Sequence, residues 1–292
     1  MDAAEHKPQG EAASPVFVGG SGRCGTTILG RTVGLHSNVF TFPDEPKFLA
    51  EMPGSLLEYA RNPAHPALRQ NFEKRIRGYF FRRWSEREQR DIGICSYVDR
   101  THYFACVESL LDSFPAPDLE ERYAQIRTFM NALYAPTVSQ RGARRWCDDS
   151  PLTVLYLLDL AAIYPDFKFI HVIRDGRGVA RSYCRLGWCP TMPAALRLWH
   201  SRVAAGRLMG RVLPGDNYLE VSFSALVSDP NGELDRILDF IGEPWDDAVA
   251  AHKLRPERAS QFSYELASPT NRLFLALAGD WCDEFGWPAV ES

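Results

Sequence analysis

The sequence predicts an α/β fold: a P-loop-like, doubly wound parallel sheet of about five strands, flanked by helices and carrying a helical insertion. Three observations predict it. Short apolar runs of strand length alternate with segments of helical periodicity. The first run passes directly into a glycine-rich turn and a helix that opens on paired threonines, Val16-Phe-Val-Gly-Gly-Ser-Gly-Arg-Cys-Gly-Thr-Thr-Ile-Leu29. The runs end, in addition, at residues whose character is chemical rather than structural.

Residues 1–14 are polar and are expected to form a disordered tail, leaving 15–292 as the folded unit. Five segments read as parallel strands: Val16–Val18, Val39–Phe42, Arg145–Cys147, Phe167–Ile173 and Tyr218–Ser222. Helical patterns fall between them, over Thr26–His36, Leu152–Ile163, Gly178–Cys184, Ala194–Val212 and Asn231–Ile241, the last begun by Asp229-Pro230. Residues from about 48 to 140 break the alternation. They are rich in helix formers and aromatics, lack a clear strand, and are punctuated by Asn62-Pro63, His65-Pro66 and Pro115-Ala-Pro117. This is the helical insertion, and it is expected to cover an acceptor site. Within it, residues 69–90 hold eight basic residues against three glutamates, either a solvated helix face or a surface that attracts an acidic substrate.

A chain of 292 residues with 45% hydrophobic content can bury a full core, and a net charge of −4 supplies no global field for nucleic acid or an anionic membrane. No apolar run approaches the length of a membrane span, and the amino terminus lacks the pattern of a signal peptide. Seven cysteines form no C-x-x-C pair, and their odd number fits a reduced compartment. The expectation is a cytoplasmic protein with no nucleic-acid or membrane partner. Cys184 and Cys189 lack neighbouring histidines at ligand spacing, so they are read as small buried hydrophobes and no metal is expected.

Three groups of residues carry chemistry, and in a doubly wound sheet all three fall at the carboxyl ends of strands, where ligands bind. The first is the glycine-rich turn. Its unshielded N–H groups, the positive end of the following helix and the hydroxyls of Thr26 and Thr27 bind phosphate-like oxyanions. Against G-x-x-x-x-G-K-[ST] the window from Gly20 to Thr27 matches both glycines and the final hydroxyl, but Thr26 replaces the lysine. With Arg23 as the turn's only cation, the site suits a group less charged than a transferring phosphoryl, such as a sulfuryl group. The second group follows the fourth strand: Arg174-Asp175-Gly176-Arg177, with Ser182 one helical stretch on. An arginine leaving a central strand beside a helix start clamps phosphate bidentately. The alternative has Asp175 capping the helix and Arg174 paired to a carboxylate. The third is Asp44-Glu45, held between Pro43 and Pro46 after the second strand, where a carboxylate can act as base or merely form an acidic turn. Asp44, His36 and His102 are the other candidate bases. Phe42, Tyr97 and Tyr103 are read as core aromatics rather than a pocket lining.

These residues resemble the sulfotransferases that use 3′-phosphoadenosine-5′-phosphosulfate (PAPS), in the branch of the tyrosylprotein sulfotransferases and their bacterial relatives. The family's 5′-phosphosulfate loop is matched by Gly22-Arg23-Cys24-Gly25-Thr26-Thr27, with cysteine for the usual serine. Its 3′-phosphate motif is matched by Val172-Ile-Arg174-Asp175-Gly176 and Ser182, and its catalytic glutamate corresponds to Glu45. Tyr218–Pro230 and Leu238–Trp245 resemble the family's later strand and helix. The resemblance implies PAPS as co-substrate without a metal, a hydroxyl-bearing small-molecule or peptide acceptor, and in-line transfer with Glu45 as general base. Two departures stand out. Relatives place an active-site lysine in E-K-[ST]-P, where this chain has Asp148-Asp149-Ser150-Pro151, so that Arg23 becomes the first candidate for the missing cation. The relatives' Y-E-D-L is replaced by Phe223-Ser224-Ala225-Leu226, leaving the adenine contacts open. An ATP-dependent small-molecule kinase and a non-catalytic nucleotide-binding protein are the rival readings.

Overall fold

The computed structural model describes residues 14–51, 54–80, 83–85, 90–250 and 268–289. The expected tail, apart from Ser14, lies outside these residues. So do 251–267 and, within the basic stretch, residues 81–82 and 86–89.

The chain opens with β1 (Val16–Gly20) and α1 (Thr26–Val33), then runs to β2 (Val39–Thr41). The insertion follows as α2 (Leu56–Arg61), α3 (Pro66–Gly78), the strands β3 (Arg83–Ser85) and β4 (Arg90–Ile92), α4 (Arg100–Ser113) and α5 (Leu119–Gln140). Next come β5 (Arg145–Asp148), a 3₁₀ turn over Pro151–Tyr156, α6 (Leu157–Ile163) and β6 (Lys168–Ile173). After β6 lie α7 (Gly176–Arg185), α8 (Met192–Gly210), β7 (Tyr218–Ser222), α9 (Phe223–Ser228) and α10 (Pro230–Ile241). The described chain closes with α11 (Asp247–Ala250), α12 (Pro269–Ala278) and α13 (Asp280–Phe285).

Five strands form one parallel sheet in the order β2-β5-β1-β6-β7. The predicted parallel sheet is therefore the one observed, with strand ends shifted by one or two residues. Two departures are local. The insertion does contain strand, a short antiparallel hairpin of β3 with β4, whose charged sequence gives no apolar alternation to read. The expected helix from Leu152 begins instead as a 3₁₀ turn, because Pro151 and the Ser150 carbonyl, which accepts from the Thr153 hydroxyl at 2.7 Å, tighten its first residues.

Every residue of β1 is buried, the mark of a strand covered on both faces. Alternate side chains divide between two cores. Phe17 and Phe169 face an aromatic layer with Phe42, Tyr134, Trp146 and the helices of the insertion. Val16, Val18, Ile170 and Val172 face α1, α9 and α10. Edge-to-face contact of Phe17 with Trp146 at 5.4 Å adds about 0.5–1.5 kcal/mol beyond burial. A third core joins α7 and α8 to α12 and α13 around Trp199. Because β1 is central and the chain leaves it toward β2 but later returns to β6, the loop after β1 sits where the connections diverge, the place where such sheets bind ligands.

Candidate active site

The turn after β1 is shaped by backbone conformations that side chains resist. Gly22 (φ 81°), Arg23 (φ 59°) and Gly25 (φ 114°) all adopt positive φ. Arg23 is the only non-glycine residue with this conformation among the described residues, and such strain persists only where its surroundings impose it. At Gly25 a Cβ would also lie 2.5 Å from the Phe223 ring, so glycine is required twice over. The turn leads into α1 with no side-chain cap and no acidic residue in its first turn, leaving the N–H groups and positive helix end to a ligand. The buried Cys24 thiol is pushed up by burial, which suits a packing role for the residue that replaces serine.

The rest of the loop is held from α7 and α8. The Tyr183 hydroxyl donates to the Ser21 carbonyl, and Arg202 Nη1 donates to the same oxygen at 2.9 Å and to the Tyr183 hydroxyl at 3.1 Å. Sequence reading missed both residues, whose support of a loop some 160 residues away leaves no local pattern.

The second group meets the first directly. Arg23 Nε donates to Ser182 Oγ at 3.2 Å, and Arg174 Nη1 reaches the Arg23 carbonyl at 3.4 Å. The Arg174 guanidinium lies 4.5 Å from the centre of the Phe223 ring, so Phe223 fills the gap between Gly25 and Arg174. Asp175 caps α7, accepting from the Arg177 N–H at 2.8 Å, and pairs with the buried Arg177 guanidinium. Arg177 continues to Asn271 Oδ1 (2.7 Å) and the Pro288 carbonyl (2.9 Å), tying α12 and the chain beyond α13 beneath the site. Thus Arg177 is structural, while Arg174 and Ser182 line the crevice with Arg23.

The third group arrives from β2. Thr27 Oγ1 donates to Glu45 Oε1 at 3.1 Å, which sets the carboxylate against the first turn of α1. Its neighbour Asp44 turns the other way and accepts from the Gly93 N–H at 3.0 Å, anchoring the insertion. Tyr79 of the insertion clasps the loop, its hydroxyl accepting from the Lys47 N–H (2.7 Å) and donating to the Glu45 carbonyl (2.9 Å). Lys47 Nζ lies 2.7 Å from Glu45 Oε2 and 3.3 Å from Glu51 Oε2. Lys47 and Tyr79 were not singled out from the sequence, although Lys47 follows Glu45 by two positions. The other candidate bases are engaged elsewhere: His36 with the Pro244 carbonyl and the Asn38 N–H, His102 with the Ala132 carbonyl. Phe42 and Tyr103 are core residues, and Tyr97 packs on Phe42 at 5.2 Å.

Behind Glu45 stand three more carboxyls. Asp148 is fully buried, accepts from the Ser150 N–H at 2.8 Å, and is pushed up to about 7, first by burial and further by the charges of Glu51 and Glu45. Asp149, packed against Gly30 of α1, is raised well above the carboxylate range by burial and then by Glu45 and Asp148. Glu51 is raised by burial, an effect that the Lys47 charge offsets in part, and accepts from the Leu152 N–H at 2.8 Å. All three carboxyls are therefore shifted toward their neutral forms behind Glu45, Glu51 with the Lys47 charge opposing the shift.

A family model described as the sulfotransferase family matches residues 15–247, most of the chain. The chain belongs to that family. A protein-tyrosine sulfotransferase of Drosophila melanogaster is 26% identical over 117 residues, 38% of this chain and 23% of that protein. Protein-tyrosine sulfotransferase A of Caenorhabditis elegans matches at the same identity over 38% of this chain and 31% of its own length. The chain thus spans less than a third of the length of either of these two relatives. Among solved structures, the sulfotransferase domain of the Synechococcus PCC 7002 olefin synthase superposes with a TM-score of 0.56 at 19% identity, covering 96% of this chain and 98% of that domain. That likeness is one of fold.

Proposed function

We propose that the protein transfers a sulfuryl group from PAPS to a hydroxyl of a small-molecule or peptide acceptor. The turn of residues 22–27 takes the 5′-phosphosulfate through its N–H groups, the hydroxyls of Thr26 and Thr27, and Arg23. Arg174 and Ser182 take the 3′-phosphate. Glu45 removes the acceptor's proton as its oxygen attacks sulfur in line. Arg23, with the amides and hydroxyls of the turn, stabilises charge on the departing phosphate oxygen. The insertion covers the acceptor.

The Thr27–Glu45 hydrogen bond carries this reading, because a carboxylate held against the first turn of the helix after the glycine-rich turn is where the proposed transfer needs a base. The Arg23–Ser182 contact supports it by joining both phosphate-binding groups in one crevice. The relatives named above share the reaction class by name. Titration calorimetry tests the donor: adenosine 3′,5′-bisphosphate is expected to bind without magnesium, while ADP is expected to bind poorly with or without it. Magnesium-dependent ADP binding with no response to the bisphosphate supports a kinase instead. Bisphosphate binding without transfer of labelled sulfate to any acceptor in a compound pool supports a non-catalytic protein.

A further inference from the structure

Glu45 is set between two partners of different kinds. Its Oε1 accepts from the Thr27 hydroxyl, and its Oε2 faces the Lys47 ammonium at 2.7 Å. Lys47 has a long flexible stem and would lose rotamer entropy in keeping that position on its own. It is gripped from behind by Glu51, 3.3 Å away, whose side chain is only 9% exposed and whose other oxygen accepts from the Leu152 N–H at 2.8 Å. Its backbone is gripped too, by the Tyr79 hydroxyl. A continuous chain of polar contacts therefore runs from the loop after β5 (Leu152), through Glu51, Lys47 and Glu45 on the loop after β2, to Thr27 at the oxyanion turn. Asp148 and Asp149, raised toward their neutral forms by burial and by the charge of Glu45, offer it no opposite charge. Arg23, expected from the sequence to supply the missing cation, spends its Nε on Ser182 at the far side of the crevice.

We propose that Lys47 is the positioning residue for Glu45: braced by Glu51, its ammonium fixes the carboxylate against Thr27. The inference rests on the reading of Glu45 as the base. In the step itself the acceptor oxygen forms a bond to sulfur and the bond from sulfur to the phosphate oxygen breaks. The bonding pair leaves on that phosphate oxygen, and the acceptor's proton passes to Glu45. Lys47 neither gains nor loses a proton. It holds the receiving oxygen in place.

The test uses transfer from labelled PAPS to 2-naphthol and to water, in Lys47→Met, Lys47→Arg, Glu45→Gln and the Glu45→Gln/Lys47→Met double variant. A misplaced reacting group costs on the order of 10²-fold. Lys47→Met is expected to lower kcat by roughly that factor, with the KM for PAPS and the affinity for adenosine 3′,5′-bisphosphate unchanged, whereas Lys47→Arg keeps most of the rate. If Lys47 acts through Glu45, the double variant is no slower than Glu45→Gln alone. An equal further loss in the double variant overturns the proposal. So does a crystal structure of Lys47→Met in which the Glu45 carboxylate still sits on Thr27, a result readable whether or not the chain turns over PAPS. Absence of both bisphosphate binding and transfer in the parent protein instead defeats the functional reading, and that crystal structure then decides the role of Lys47 by itself.

Discussion

The two sides of the crevice are built on the same sheet edge and carry opposite charge. The loops after β1 and β6 present Arg23, Arg174 and Ser182, with Arg202 bracing them from α8. The loops after β2 and β5 present Asp44, Glu45, Glu51, Asp148 and Asp149, with Lys47 as the cation bonded to Glu45 and Glu51. The first side is ordered around a glycine-rich turn at a helix start and guanidinium forks, groups that recognise anionic oxygens. The second is ordered around carboxyls in differing surroundings, one partly open and paired to lysine, two buried and displaced toward neutrality. Thr27 is where the sides touch. On the proposed reading, a single parallel sheet separates anion binding from proton acceptance by only a helical turn, and the separation follows from which strands flank β1.

Glu45→Gln tests that division most severely. Loss of a positioned general base costs about 10²–10⁴ in rate, so the variant is expected to be nearly silent with saturating PAPS yet to bind adenosine 3′,5′-bisphosphate as the parent does. Near-parental turnover would dissolve the distinction between the sides.

The carboxyl side also makes a prediction about stability. Native Asp148 holds its proton to about pH 7, whereas the unfolded chain releases it near 3.8. Within that window the native state binds more protons, so this residue makes stability fall as pH rises, at up to about 1.4 kcal/mol per pH unit. His171 acts in the opposite sense. Burial, then the charge of Arg207, pushes its imidazole down to about 3, and the stability it contributes is lost as pH falls below 6.5. The difference between Asp148→Asn and the parent cancels His171. Urea midpoints across pH 4–8 are expected to show the variant gaining steadily on the parent up to about pH 7 and no further, while a constant offset would remove Asp148 from the account.

On the cationic side, Arg174→Ala removes charge-assisted contacts of about 1.5–3 kcal/mol. Bisphosphate affinity is expected to fall roughly 10- to 100-fold by calorimetry, with a smaller change in the rate at saturating PAPS. An effect on rate alone would place Arg174 with the opposite wall.

Much of this was legible in the chain. All five sheet strands were read from the chain, most plainly β1 and β6, because a strand buried on both faces leaves a nearly uninterrupted apolar signature. The turn from Gly22 to Thr27, with Arg174 and Glu45, could be picked out since each lies in a loop that follows a strand, and Ser182 since it lies one helical stretch after Arg174. The hairpin over Arg83–Ser85 and Arg90–Ile92 could not, because its two three-residue strands are too short and too rich in charge to show an apolar alternation. Arg202, Tyr183 and Tyr79 were equally hidden. Each serves a loop distant in sequence, and nothing local distinguishes such a residue from an ordinary helical one.

The sequence by itself therefore determined the strands, the glycine-rich turn, and the chemical types available at the sheet edge, all of which depend on residues near one another in the chain. Tertiary structure alone decided their pairing: that Asp44 faces Gly93 while Glu45 faces Thr27, that Arg23 reaches Ser182, and that Lys47 stands beside the carboxylate when the position after Asp148 does not supply a cation. Such choices are settled by strand order and by which loop packs on which, since hydrogen bonds and ion pairs act across a few ångströms of space whatever the separation along the chain.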